Sequence, residues 1–180
     1  MKTLLVIFSK KGIQKIIFES SHESILGIKG GMYSWATKLK HGRPRNTSPL
    51  SYQKHLSAKI QKQFSDYFSG KLKKFTLLLD PQGTKFDLAV WKATQKIPYG
   101  QVRSYKDIAT ILKKPLTSRA VGNALGRNPI PILIPCHRVI ASDGTLGGYS
   151  SGLKIKKMLL ALEHYSERVR YLPYFRTRST

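Results

Sequence analysis

Cysteine is almost absent from this sequence. Cys136 is the only one in 180 residues. A single cysteine cannot form an intramolecular disulfide, so nothing in the sequence indicates an oxidising compartment. It also leaves no second thiol that could resolve an oxidised or modified Cys136.

Acidic residues are also scarce. Nine Asp and Glu stand against 32 Lys and Arg, which gives a formal net charge of +23. Self-repulsion of this size opposes folding, so the charge indicates a polyanionic partner. Nucleic acid is the first candidate and an acidic membrane surface the second. A solvated basic surface without any partner is the remaining alternative.

Long apolar runs are missing as well. Residues 1–8 combine one lysine with a short apolar core, but Lys10 and Lys11 follow where a signal peptide has a small-residue cleavage site. No stretch approaches the roughly 18 apolar residues of a membrane span. We therefore expect a cytoplasmic protein with no membrane partner.

The first part of the chain shows strand patterns around one helix. Two β-rich runs at residues 4–8 and 14–18, separated by a Lys-Gly break, predict a hairpin, and residues 24–28 predict a third strand. Residues 35–51 are polar and basic and contain two prolines, which predicts a loop.

The same part ends with a helix, a strand and a turn. Apolar residues at steps of four over residues 51–68 predict an amphipathic helix that Gly70 ends. Residues 75–79 predict a strand, and the Asp-Pro-Gln-Gly sequence at 80–83 predicts a turn at a domain boundary. We expect an N-terminal domain over residues 1–82.

From residue 83 onward the patterns become helical. Residues 86–97 and 153–164 predict helices with broad apolar faces. A capping box at residues 104–107 opens a short helix, and Thr117 or Ser118 caps a second one that ends near Gly126. Two short capped helices joined by a tight turn are typical of a helix-turn-helix, which beside the basic charge favours DNA binding.

These patterns together predict an α+β protein with two domains. A small N-terminal antiparallel-sheet domain with a helix covers residues 1–82. A mainly α C-terminal domain with a helix-turn-helix covers residues 83–180, and its end, residues 166–180, is a basic tail without a clear period.

Cys136 lies in an apolar run, residues 132–140, which is interrupted by Pro135 and by the polar pair His137 and Arg138. Most lone buried cysteines are inert small hydrophobes. Basic and cationic neighbours, however, lower a thiol pKa and create the thiolate nucleophile. The polar interruption of a core-like run at the only cysteine favours a reactive site.

Cys136, His137 and Glu163 supply a nucleophile, a base and an acid that orients the base. Taken singly, His137 could be a surface histidine and Glu163 a solvated charge at a helix end. Adjacent residues of an extended strand also point to opposite faces, which separates His137 from the thiol. Either the chain turns sharply at Pro135, or a water carries the proton; we expect a turn together with a water.

The segment Ile-Pro-Cys-His-Arg-Val-Ile at residues 134–140, preceded by Arg-Ala-Val-Gly at 119–122 and Asn-Pro at 128–129, resembles the O6-alkylguanine-DNA alkyltransferase family. The resemblance runs over residues 86–164. The first eighty residues match only in general plan, a structural domain with a ribonuclease H-like arrangement.

The resemblance implies a set of catalytic roles. Cys136 would take the alkyl group from O6 of a damaged guanine. His137 would deprotonate it through a water, Glu163 would hold His137, and Tyr105 would act at the leaving guanine and the adjacent phosphate.

It also implies how the substrate is bound. The partner would be double-stranded DNA, bound through the minor groove without sequence preference, and Arg119 would fill the space left by a flipped base. The implied DNA-binding residues are Ser118, Arg119, Ala120, Asn123 and Tyr105. The implied pocket and supporting residues are Asn128, Pro131, Val139, Tyr149 and Ser150.

Some members of the family bind zinc in the first domain, but here no cysteine precedes Cys136. His22, His41 and His55 lack companions at ligand spacing, so we expect no metal, no cofactor and a monomer. Three rival functions remain: a cysteine hydrolase, a DNA-damage sensor without catalysis, and a thiol redox sensor.

Overall fold

The computed structural model describes residues 2–9, 11–19, 35–41 and 50–163. Two compact units make up the chain, Met1–Gln82 and Gly83–Thr180. The predicted third strand at residues 24–28 and the basic tail at 166–180 lie outside the described residues.

The first unit contains a three-stranded sheet in the order β2-β1-β3. Strands β1 (Lys2–Ser9) and β2 (Gly12–Glu19) form the predicted antiparallel hairpin. Strand β3 (Trp35–His41) pairs in parallel with β1, so the sheet is mixed. The prediction of a loop over residues 35–51 is therefore wrong at its start. Backbone pairing with β1 gives this polar segment hydrogen-bond partners that its composition does not reveal.

The strand predicted at residues 75–79 is absent, so that prediction is wrong. This segment forms one isolated parallel bridge, between Leu79 and Ile13. Two hydrogen bonds flank the bridge, from the Ile13 amide to Leu78 and from the Asp80 amide to Ile13, each 2.8 Å. Gly12 permits this approach, because a Cβ atom there would lie 2.6 Å from the Leu78 carbonyl oxygen.

Helix α1 (Leu50–Phe68) confirms the predicted amphipathic helix. Two of the apolar residues at steps of four, Ile60 and Phe64, are completely buried together with Tyr67. The ring of Phe75 packs 5.2 Å from those of Phe64 and Tyr67. The helix thus covers its apolar face within its own unit.

The second unit is mainly helical, which confirms the α+β class. Its helices are α2 (Lys85–Thr94), α3 (Tyr105–Ile111), α4 (Ser118–Gly126) and α5 (Leu153–Leu162). A two-residue strand β4 (Arg103–Ser104) pairs in parallel with β5 (Val139–Ile140). None of the helices in the described part of the chain is long and apolar enough to cross a membrane.

A side-chain cap is present at the start of α3 but not at the start of α4. The capping box of α3 is present as predicted, with the Asp107 amide 3.0 Å from Ser104 Oγ and the Ser104 amide 2.8 Å from Asp107 Oδ2. Thr117 occupies the N-cap position of α4, but its hydroxyl donates to the Lys114 carbonyl at 2.7 Å and caps nothing. Helix α4 therefore begins without a side-chain cap.

Helices α2 and α4 of the second unit pack together. The Trp91 indole nitrogen donates to the Ala124 carbonyl at 2.8 Å. Ala124 is fully buried. Leu88 is apolar but 40% exposed, so it lies off the buried face of α2. Packing partners, rather than residue type alone, decide which face is inward.

Candidate active site around Cys136

The chain turns sharply at Cys136. Residues Cys136–Arg138 form one turn of 3-10 helix, with Pro135 at its N-cap. The Arg138 amide donates to the Pro135 carbonyl at 2.9 Å. In such a turn successive side chains are about 120° apart, instead of on opposite faces as in a strand. The predicted sharp turn is thus confirmed, and it removes the geometric objection to a cysteine and a histidine that adjoin in sequence.

Asn128 contacts the thiol through a hydrogen bond. Its Nδ2 donates to Cys136 Sγ at 3.0 Å and to the Ile134 carbonyl at 2.9 Å. Its Oδ1 accepts from the Ile130 amide at 2.9 Å. Burial raises the pKa of the Cys136 thiol, while the hydrogen bond from Asn128 and the charge of Lys156 lower it. The balance of these effects decides how readily the thiolate forms.

His137 and Glu163 are both buried and in contact. His137 Nε2 lies 3.0 Å from Glu163 Oε1. Burial lowers the pKa of His137, and the hydrogen bond to Glu163 opposes this only in part. We assign the neutral tautomer with hydrogen on Nε2, because the carboxylate can only accept. The other ring nitrogen, Nδ1, is buried and has no partner among the described residues, so it is available as a proton acceptor.

Arg138, expected from the sequence only as a cationic neighbour of the thiol, instead pairs with Glu163. Its Nε and Nη2 donate to the two oxygens of Glu163, each at 2.8 Å. Burial alone would raise the pKa of Glu163, but hydrogen bonds from His137 and Arg138 lower it to about 2. Glu163 is therefore a buried carboxylate that stays ionised. A charged residue inside an apolar run is a signal for such a pair.

Lys156 is a functional residue that sequence reasoning missed. It is fully buried on α5, and its Nζ donates to the carbonyls of Val139 at 2.6 Å, Leu146 at 2.5 Å and Gly148 at 3.3 Å. Burial lowers its pKa to about 8, against the opposing effect of Cys136. Helical spacing could have revealed it, since Lys156 shares the inward face of α5 with Glu163 seven residues later.

Lys156 also contacts Val139, one of the residues implied to form or support the pocket. The Val139 carbonyl accepts from Lys156, and its amide donates to the Cys136 carbonyl. Val139 is completely buried and is not part of the wall of the cavity beside Cys136. Its carbonyl oxygen keeps a second lone pair, so its implied role at the pocket stays a prediction.

A cavity of about 520 Å³ opens in front of the thiol. Much of its wall consists of residues implied by the motif resemblance: Tyr105, Ser118, Arg119, Asn123, Cys136, Tyr149 and Ser150. The remaining wall is Gly122, Leu125, Gly126, Ala141, Ser142 and Gly148. Ala120 and Pro131 are not part of the wall. A volume of this size is typical of small-ligand sites.

Two tyrosines line this cavity. The Tyr105 hydroxyl donates to the Gly148 carbonyl at 3.4 Å, and burial raises its pKa. Burial raises the pKa of Tyr149 well above its ordinary value, and the neighbouring thiol adds to this effect. Within the described part of the chain the Tyr149 hydroxyl has no hydrogen bond of good geometry. It is therefore a buried polar group at the cavity wall whose nearest ionisable neighbour is the Cys136 thiol.

No group of three or more His, Cys, Asp or Glu side chains suited to a metal occurs among the side chains that the structure describes. His22 lies outside the described residues, and only the backbone of His41 and His55 is described. The predicted absence of a metal in the first unit stays a prediction.

Known proteins share much of this sequence. The family model for the DNA-binding domain of 6-O-methylguanine DNA methyltransferase matches residues 85–165. A methylated-DNA–protein-cysteine methyltransferase of Methanosarcina barkeri is 50% identical over 137 residues, which cover 72% of this chain and 87% of that protein. The chain belongs to the methylated-DNA–protein-cysteine methyltransferase family. The resemblance drawn from the motifs is thereby confirmed.

Other members of the family agree with this assignment. The inducible methylated-DNA–protein-cysteine methyltransferase of Bacillus subtilis is 50% identical over 101 residues, 56% of either chain. The crystal structure of Mycobacterium tuberculosis OGT in complex with DNA superposes with a TM-score of 0.62 at 34% identity, covering 91% of this chain and 93% of that one. Membership makes the chain a methyltransferase of DNA repair.

Proposed function

We propose that Cys136 accepts an alkyl group from the O6 atom of guanine in double-stranded DNA, in a reaction that each molecule performs once. The observation that carries the proposal is the position of the only thiol. It is buried at a cavity beside α4, with His137 next to it in the same turn and Glu163, after α5, in contact with His137. The names of the relatives, methylated-DNA–protein-cysteine methyltransferases, support the same chemistry.

The transfer is an in-line displacement. The thiol proton passes through a water to Nδ1 of His137, and Glu163 orients the imidazole through its contact with Nε2. The S–C bond forms as the bond between the alkyl carbon and O6 breaks. The departing guanine takes up one proton, for which the Tyr105 hydroxyl at the cavity wall is the proposed donor.

The target base must leave the duplex before it can enter the cavity. Flipping costs a few kcal/mol, and less where the lesion has weakened base pairing. We propose that Arg119, exposed at the start of α4, fills the vacated space and so offsets part of this cost. Tyr149 and Ser150 bind the flipped base, and O4-alkylthymine is a second substrate that this cavity would accept.

Helices α3 and α4 are the proposed DNA-binding pair. They pack on each other and are joined by residues 112–117, and Ser118, Arg119 and Asn123 of α4 face the cavity. We propose that α4 enters the minor groove, where the hydrogen-bond pattern is degenerate and binding is nearly independent of sequence. The solved complex of the tuberculosis relative with DNA supports a duplex partner.

The reaction ends at the alkylated protein. An S-alkylcysteine is a thioether, with no acyl bond to hydrolyse, and the sequence has no second cysteine to resolve it. The protein acts as a monomer in this proposal. The unit Met1–Gln82 has a structural role in a ribonuclease H-like plan.

A mass measurement tests the proposal. The protein is incubated with duplex DNA that carries O6-methylguanine, and the peptide that contains Cys136 is weighed. We expect a gain of one methyl group, with at most one equivalent of repaired DNA per molecule. An unmodified peptide after repair of the DNA would reject Cys136 as the acceptor. Product beyond one equivalent would reject the single-use reaction.

Two variants separate chemistry from DNA binding. Cys136→Ser should abolish transfer and retain DNA affinity. Arg119→Ala should slow repair of duplex DNA far more than reaction with free O6-methylguanine, because the free base needs no flipping. Equal losses on both substrates would remove the flipping role from Arg119. A cysteine hydrolase, the main rival, would need neither DNA nor Arg119.

A further inference from the structure

Arg138 engages the whole carboxylate of Glu163. Its Nε lies 2.8 Å from Oε2 and its Nη2 lies 2.8 Å from Oε1. Its remaining terminal nitrogen, Nη1, donates to the Ile97 carbonyl at 2.7 Å. The fork of a guanidinium matches the two oxygens of a carboxylate, so this pair is geometrically well defined. Only 7% of Arg138 is exposed.

This pairing changes what Glu163 does to His137. In a triad whose carboxylate faces only the histidine, the negative charge favours the imidazolium. Here Arg138 already balances the charge of Glu163. Protonation of His137 would therefore leave the buried cluster with a net positive charge, which is costly where the effective dielectric constant is low.

The other ionisable groups around His137 do not offset that charge. Lys156 of α5 is a second buried cation, and Cys136 precedes His137 in the same turn. Tyr99, after α2, lies with its ring 5.9 Å from the Arg138 guanidinium. Burial, Arg138 and Lys156 all lower the pKa of His137, and only Glu163 raises it.

We propose that Arg138 is a positioning residue that keeps His137 neutral and in a single tautomer by holding both oxygens of Glu163. Nε2 then keeps its hydrogen in the contact with Glu163. Nδ1 keeps the lone pair that must accept the thiol proton. In the resting protein, Arg138 thus sets the histidine to act as a base when substrate arrives, although Arg138 touches neither the thiol nor the cavity wall.

Titration of His137 by nitrogen NMR tests this directly on the full chain. The signal is assigned by its loss in a His137→Gln variant. In the wild-type protein we expect the Nε2–H tautomer to persist below the ordinary histidine pKa of about 6.5. In Arg138→Met the charge of Glu163 is unbalanced, and the proton affinity of His137 should rise at least about tenfold. An unchanged or lower affinity in Arg138→Met would overturn the proposal.

A second comparison keeps the test decisive if Arg138→Met does not fold. Glu163→Gln is compared with Arg138→Met/Glu163→Gln, which removes both charges of the pair. The double variant should bind the His137 proton at least about tenfold more tightly than Glu163→Gln, because it lacks the guanidinium charge. Equal titration of these two proteins would overturn the proposal as well.

Arg127→Met is the matched control. Arg127 also forms an ion pair, with Nη2 2.6 Å from Asp87 Oδ1, and neither of these residues is among the groups that shift the pKa of His137. Its loss should leave the titration of His137 unchanged, and a shift as large as that of Arg138→Met would count against a specific effect. The NMR readout needs no alkyl transfer, so its outcome is independent of the proposed function.

Discussion

Asn128 is the side chain whose removal should affect the fold and the thiol together. Asn128→Ala deletes three hydrogen bonds, from Nδ2 to Cys136 Sγ, from Nδ2 to the Ile134 carbonyl, and from the Ile130 amide to Oδ1. The Ile134 carbonyl keeps a second donor, the Cys136 amide at 2.8 Å. The Ile130 amide is therefore the buried group that the substitution leaves unsatisfied.

The magnitude follows from this inventory. A buried donor without a partner costs about 1–3 kcal/mol, and each of the other lost hydrogen bonds contributes about 0.5–1.5 kcal/mol. We expect Asn128→Ala to lower the free energy of unfolding of the second unit by about 2–6 kcal/mol. The pKa of the Cys136 thiol should also rise, because the donor that stabilises the thiolate is gone.

Two assays read these effects separately. Urea unfolding is followed by Trp91 fluorescence in a Trp35→Phe background, so that the signal reports the second unit alone. The thiol pKa is taken from the pH dependence of its alkylation by iodoacetamide. Asn123→Ala is the control, since Asn123 is exposed on α4 and its loss should change stability by no more than about 0.5 kcal/mol. A destabilisation below about 1 kcal/mol in Asn128→Ala would refute the hydrogen-bond reasoning.

Three further predictions concern stability. Folding lowers the pKa of Glu163 from 4.5 to about 2, which corresponds to a contribution of roughly 3 kcal/mol to stability. This contribution is present above pH 4.5 and is lost as the pH falls to 2. Urea midpoints measured across this range should show the loss of stability, and Glu163→Gln should flatten the pH dependence. Lys113 has a φ of +57°, so Lys113→Gly should raise the thermal midpoint by the equivalent of about 0.5–1 kcal/mol, whereas Lys113→Ala should not. Methylation of Cys136 adds a carbon beside Asn128 and should lower the thermal midpoint; equal midpoints before and after the reaction would contradict this.

Much of the second unit could be predicted because its signals are local. The capping box at Ser104 and Asp107 indicates a helix start from the sequence alone, since both partners lie within one turn. The sharp turn at Pro135 could be expected for a similar reason, because proline removes a backbone donor. The nucleophile could be named from its uniqueness and its neighbours, as Cys136 is the only thiol and adjoins a base.

Other features depend on partners that are distant along the chain. Strand β3 is a strand because it pairs with β1, and its own polar composition predicts a loop. Ala124 is buried where α4 packs against α2, a contact that includes the hydrogen bond from the Trp91 indole to the Ala124 carbonyl. Composition says which residue types are present, but the side that becomes buried is a property of the contact.

The sequence by itself therefore singled out a candidate nucleophile, base and acid, together with the helices of the second unit. Only the tertiary structure decided the charge balance around these groups. Arg138 meets Glu163 across 25 positions, and Lys156 meets Val139 across 17. No local sequence pattern predicts which buried charged group contacts which oxygen. The energy of such a contact depends on the distance between the groups in space and on their burial, and both are set only by folding.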